Sequence, residues 1–173
     1  GESQGGTIFT PKTNFNDYMF KVNDSVLREF LEFRNFTIEG NKTNQTSGGC
    51  IMASSTARST FDSLSLNQCE DRAIKLSGPA AGGFGYNNTI SNNYIADNVV
   101  GIEMVNNDEN QIFANPNNSP SHNHIYDRQA LQNIHDNVFT GTVYTTGIAI
   151  YIEYTNSSSV NNNTFDHVPE EAV

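Results

Sequence analysis

A pattern of Gly or Ala, an apolar residue, any residue and a second apolar residue returns four times along the chain. The segments are Gly49-Cys50-Ile51-Met52, Ala73-Ile74-Lys75-Leu76, Gly101-Ile102-Glu103-Met104 and Gly147-Ile148-Ala149-Ile150. Their first apolar residues stand 24, 28 and 46 residues apart, and Ile125 falls at the midpoint of the longest gap. A second column runs out of phase with the first: Phe33, Phe61, Ile90, Ile112, Ile134 and Val160. Five residues further on, for all but Ile112, come Ile38, Leu66, Ile95, Phe139 and Phe165. Between the paired positions lie Asn35, Ser63, Asn92, Ala114, Asp136 and Asn162, and one residue on come Phe36, Leu64, Asn93, Asn115, Asn137 and Asn163. The last four form an asparagine column with spacings of 22, 22 and 26. Self-similarity at such a period is the mark of a repeat architecture, in which no unit buries its own apolar face and neighbours must stack.

Asparagine tolerates the left-handed backbone region better than any residue except glycine, which suits it to a tight turn. If every coil turns at the same place, the amides stack at the ~4.8 Å strand spacing and can bond one another up the column. The expectation is an all-β chain: a right-handed, single-stranded parallel β-helix (solenoid) with an asparagine ladder and three short strands per coil. The hand follows from the strong bias of β-to-β crossovers. Residues 1–173 read as one β-helix domain, with an entry strand and cap in 1–32 and stacked coils over 33–168, cut from a longer chain. Val26, Leu27, Phe30 and Leu31 sit at helix-like spacing, so Asp24 to Phe33 reads as a capping helix or an irregular first coil.

The pattern resembles the pectin-lyase-like superfamily, including phage tailspike and appendage domains and copper-maturation surface proteins with Asn-Thr-Ile-Ser-Asn-Asn repeats. Two segments carry the resemblance. Asn88-Thr89-Ile90-Ser91-Asn92-Asn93-Tyr94-Ile95 is the repeat, and Gly5-Gly6-Thr7-Ile8-Phe9-Thr10-Pro11 is similar to the Gly-Gly-Thr-Val start of tailspikes. The likeness to tailspikes implies a homotrimer, an extracellular or virion-surface location and a bacterial surface polysaccharide as partner. It does not extend to the catalytic motifs of polygalacturonases or to the calcium site of pectate lyases.

Composition narrows the functional classes. The net charge is −10 with only nine Lys and Arg, which argues against a nucleic-acid partner, since phosphate-tracking proteins cluster cations. No apolar run approaches the roughly 20 residues of a membrane span. No cofactor is expected and no metal site, because neither cysteine has a second ligand nearby and the four histidines are scattered. Cys50 and Cys69 fall at different places around the coil in this register, so two buried free thiols are expected in place of a disulfide. The Gly/Pro-rich run Ser77 to Tyr86 reads as a bulge, and Asn115 to Asn123, with Pro116 and Pro120, as a loop replacing a strand.

Side chains alternate along a strand, so residues between inward ones face solvent. In this register the outward column is Ile51, Lys75, Glu103, Tyr126 and Ala149, continued along the strands by Arg128, Tyr151 and Glu153. Lys75, Glu103, Tyr126, Arg128, Tyr151 and Glu153 are the carbohydrate-binding candidates, because aromatic rings stack on pyranose faces and carboxylates accept from hydroxyls. The same column also reads as an ordinary solvated face with a lateral Lys75 to Glu103 ion pair. Glycoside hydrolysis needs two carboxyls about 5–9.5 Å apart, and the candidates are Glu103, Asp127 and Glu153. Three functions follow: recognition of a surface polysaccharide with or without cleavage, a non-catalytic structural or self-associating stalk, and a polysaccharide lyase or glycoside hydrolase. His135 and Asp136 together have the makings of a general base and its orienter, but Asp136 belongs to the turn column.

Overall fold

The computed structural model describes residues 6–23, 25–78, 85–118, 123–128, 132–140, 149–153 and 158–166; for residues 117–118, 123–124, 126–128 and 140 it describes the backbone alone. The chain is an all-β solenoid in which every strand pairs in parallel with its counterpart one coil away. Among the described residues four sheets form its sides, numbered in the order a coil visits them, and the strands given for each are those of the described residues. Sheet 1 holds six strands: Phe20–Val22, Ile51–Ser54, Arg72–Ser77, Val100–Val105, Asn123–Arg128 and Ile150–Glu153. Sheet 2 holds four of two residues each: Arg28–Glu29, Thr56–Ala57, Gly85–Tyr86 and Asn107–Asp108. Sheet 3 holds Glu32–Arg34, Thr60–Asp62, Thr89–Ser91, Asn110–Phe113, Gln132–His135 and Ser159–Asn161. Sheet 4 holds Thr7–Phe9, Phe36–Glu39, Ser65–Asn67, Tyr94–Ala96, Pro116–Asn118, Val138–Thr140 and Thr164–Asp166. Sheets 1, 3 and 4 supply the three strands per coil expected from the repeat, and the short sheet 2 adds a fourth in several coils. Among the described residues no helix is long and apolar enough to cross a membrane.

The core is the stack of inward rows. In sheet 3, Phe33, Phe61, Ile90, Ile112, Ile134 and Val160 pair in one unbroken register. In sheet 4, Ile38, Leu66 and Ile95 align, as do Phe139 and Phe165. From Phe61 to Ile134 the sheet 3 row is fully buried, and each such side chain is worth about 1.5–3 kcal/mol. Like meets like: Phe33 stacks on Phe61 with centroids 5.1 Å apart, and Phe139 on Phe165 at 5.3 Å. At the first coil Phe9, Phe20 and Phe36 close the core with edge-on and tilted contacts.

Corners are made by single residues in the left-handed region. Between sheets 3 and 4 these are Asn35, Ser63, Asn92, Ala114, Asp136 and Asn162, with φ between 52° and 57°. The residue after each turns inward, and there the asparagine column is hydrogen-bonded along its length. Asn115 Oδ1 accepts from the backbone N–H of Asn93 at 2.9 Å and from its Nδ2 at 3.0 Å, while Asn115 Nδ2 donates to the Ile90 carbonyl at 3.0 Å. Asn137 does the same for Asn115, and Asn163 for Asn137. A buried amide is costly unless partnered, and here each is partnered on both its atoms. A second run of buried amides, Asn88, Asn110 and Gln132, follows the corner between sheets 2 and 3.

Several expectations change. The stretch from Asp24 to Phe33 holds strands Arg28–Glu29 and Glu32–Arg34, so its described part is an irregular first coil without a helix. Pro116–Asn118 is a strand of sheet 4, not a loop; proline stands as its first residue, where the missing N–H matters least. Cys50 and Cys69, both buried, form a disulfide with Cα atoms 5.7 Å apart. Nineteen residues carry the chain almost once round the solenoid, so the start and end of one coil meet at a single corner. Of the Ser77 to Tyr86 bulge, residues 79–84 lie outside the described residues, as do 119–122 and 167–173.

Candidate functional site

The sugar-binding candidates lie on strands of sheet 1, and its register differs from the one expected. Ile51, not Cys50, pairs with Ile74, and Ile150, not Ile148, pairs with Ile125. Ile51 and Ala149 therefore leave the outward column, and both are fully buried. The register row that holds Lys75 and Glu103 runs Lys21, Met52, Lys75, Glu103, Tyr126 and Tyr151, continuous across all six strands. Tyr151 thus stands in the row itself, beside Tyr126. Two residues along, Arg128 pairs with Glu153. The side chains of Tyr126, Asp127 and Arg128 lie outside the described residues.

Glu103 is the hub of this face. Its carboxylate accepts two bonds from Arg72, Nε to Oε2 and Nη2 to Oε1, both at 3.0 Å, and Lys75 Nζ lies 3.0 Å from Oε2. Only 6% of Glu103 is exposed. Burial alone would raise its pKa, but the hydrogen bonds and charges of Arg72 and Lys75 outweigh that and hold the carboxyl below its ordinary value. Arg72 also pairs with Asp71, which accepts a 3.0 Å bond from the Tyr18 hydroxyl. Burial pushes that phenol up to about 12, so it stays a donor at any physiological pH. The lateral Lys75 to Glu103 pair is present as expected. Arg72 and Tyr18 were not singled out from the sequence, because their link to Glu103 and Asp71 crosses coils and no periodic signal marks it.

This geometry bears on chemistry. Glu103 is an ionised acceptor already bound by two cations, so it does not suit the raised, proton-bearing acid of glycoside hydrolysis, which also needs an ionised base or nucleophile. Asp127 falls in the row of Leu76, Met104 and Ile152, one residue along from that of Glu103. Glu153 lies two strands over and two residues on from Glu103, on the order of 12 Å between Cα atoms. His135 Nδ1 lies 2.7 Å from Asp136 Oδ2, and its ring stacks on Phe113 with centroids 5.2 Å apart, while Asp136 is the left-handed corner residue. Among the described residues no three His, Cys, Asp or Glu side chains converge as metal ligands would.

Comparison with protein-family models, with curated proteins and with solved structures returned no match.

Proposed function

We propose that the chain recognises a carbohydrate polymer, a bacterial surface polysaccharide, along the outward face of sheet 1. The observation behind this reading is the row Lys21, Met52, Lys75, Glu103, Tyr126 and Tyr151, which runs unbroken along the solenoid axis and ends in two tyrosines. A polymer lying along that axis meets the same strand spacing at every coil. Arg128 and Glu153 extend the aromatic end sideways. The resemblance to pectin-lyase-like tailspike and appendage domains supports a place on a virion or outside the cell, and a trimer. Recognition without cleavage is the form proposed, because Glu103, ionised and held by Arg72 and Lys75, does not suit the proton-donating role.

The second reading is a non-catalytic structural stalk, favoured by one observation: Arg72, Lys75, Asp71 and Glu103 neutralise one another. An array of bacterial and plant polysaccharides, with a reducing-end assay for cleavage, separates the two. Recognition predicts at least one bound glycan and a tenfold or greater loss in the double variant Tyr126→Ala, Tyr151→Ala at unchanged far-ultraviolet circular dichroism. No binding to any polysaccharide would leave the stalk.

A further inference from the structure

Each coil turns through single left-handed residues, and at most corners these carry small or short polar side chains, Gln68 being the longer exception. Asn35, Ser63, Asn92, Ala114, Asp136 and Asn162 serve one corner, Ser55 and Asn106 another, Gln68 and Asp97 a third. The corner between sheets 2 and 3 departs from this rule. Its left-handed residues are Phe30 at φ 60°, Arg58 at 51°, Asn87 at 55° and Glu109 at 51°. A bulky aromatic and two long charged side chains are poorly suited to that conformation. Backbone strain kept in place by its surroundings concentrates where the displayed side chain has work to do.

One coil apart from each other, these four residues form a line parallel to the solenoid axis. At one end Phe30 is 67% exposed. The Arg58 guanidinium lies 5.9 Å from the Phe30 ring centroid and 5.6 Å from that of Tyr86. Glu29 Oε1 accepts from Arg58 Nη1 at 2.9 Å and from the Tyr86 hydroxyl at 3.4 Å. The cation is thereby matched and both rings are held in place. At the other end the line opens into a shallow depression of about 300 Å³, lined by Asn87, Glu109, Gln111, Asn133 and Ser159. Its floor is Asn110 and Gln132, fixed by the buried run of amides. Asn133 Nδ2 donates to Gln111 Oε1 at 2.8 Å, so two amides are presented as one joined pair.

We propose that this edge is a second binding site, separate from the face of sheet 1, and that it takes a neutral oligosaccharide lying along the axis. The apolar face of one sugar ring stacks on Phe30. Hydroxyls of later units meet amides that both donate and accept, which is what a hydroxyl requires of its partner. The ~4.8 Å coil spacing is close to the length of one hexose unit, so successive coils address successive sugars. An acidic polymer is disfavoured, because Arg58 is already paired and Glu109 with Asp108 adds negative charge.

The test is calorimetric titration of the full chain with neutral hexamers of glucose (α- and β-1,4-linked), mannose and N-acetylglucosamine, with a galacturonate hexamer and an unstructured hexapeptide beside them. The expected result is binding of at least one neutral hexamer. Phe30→Asn and the double variant Gln111→Ala, Asn133→Ala each weaken it tenfold or more, and Tyr151→Ala leaves it unchanged. Phe30→Asn should also unfold at a higher urea concentration than the parent, since asparagine relieves the backbone while removing the ring. The proposal is overturned if no neutral hexamer binds at millimolar concentration, or if only the galacturonate hexamer or the peptide binds. It is overturned equally if neutral binding survives Phe30→Asn and is lost in Tyr151→Ala, an outcome that would leave the reading of sheet 1 standing.

Discussion

Replacing Asn115 by leucine should separate the asparagine column from the apolar stack beside it. The side chain is fully buried, and leucine branches at the same atom but is larger, so no cavity opens and its extra bulk adds a packing cost. Removal leaves the backbone N–H of Asn93 without its 2.9 Å acceptor and takes one partner each from Asn93 Nδ2, the Ile90 carbonyl and Asn137 Oδ1. Asn93 Nδ2 keeps the Phe61 carbonyl and Asn137 Oδ1 keeps the Asn115 N–H, so one group is orphaned outright and the others are weakened. An orphaned buried donor costs about 1–3 kcal/mol, and the weakened bonds add about 1–2 kcal/mol together. Burial of the leucine offsets about 1–2 kcal/mol and its extra bulk costs about 1–3 kcal/mol, for a net loss of about 1–7 kcal/mol. Asn92→Ala is the control: Asn92 is exposed, and Ala114 occupies the equivalent left-handed corner, so about 1 kcal/mol or less is expected. Urea unfolding followed by far-ultraviolet circular dichroism measures both. If Asn115→Leu falls within about 0.5 kcal/mol of the parent, or below Asn92→Ala, the amides are not what joins the coils.

Two further outcomes follow from the charged face and the cross-link. Glu103, held below its ordinary pKa of 4.5, contributes stability that is complete above that value and is lost as pH falls through its lower folded value. Glu103→Gln should therefore cost about 1–3 kcal/mol at pH 7 and progressively less below about pH 4; thermal melts showing the same deficit at pH 3 and pH 7 would contradict this. Reducing the Cys50–Cys69 bond, which closes 19 residues, should lower stability by about 3 kcal/mol. Thiol titration in denaturant without reductant should find no free thiol, and finding two would show the pair unlinked.

How much of this was legible in the sequence differs from sheet to sheet. The sheet 3 and sheet 4 rows were readable because large apolar residues recur there at a fixed offset from the turn, with Phe61, Ile90, Ile112 and Ile134 each in its true register. Sheet 1 slipped by one residue at Cys50 and by two at Ile148. Its entry is a column of small residues, Cys50, Ala73 and Gly101, and a cysteine passes there for the apolar residue that follows. That slip displaced Ile51 and Ala149 to the outside and hid the meeting of the two cysteines. Sheet 2 left no periodic signal, since two residues cannot show alternation. The line Phe30, Arg58, Asn87 and Glu109 was invisible for a different reason: its members share a backbone conformation and no side-chain chemistry.

The asparagine column joins residues 22 or 26 apart in the chain, and other bonds between coils span similar distances, such as 29 for Leu64 to Asn93. Closing a loop of that size costs nearly the same entropy each time, so no winding is much harder to add than the one before. Growth from an initial pair of windings would then resemble the advance of a zipper. The amides already in place supply the template for the next turn of chain, and a mispaired winding would pass its error to every one laid down after it.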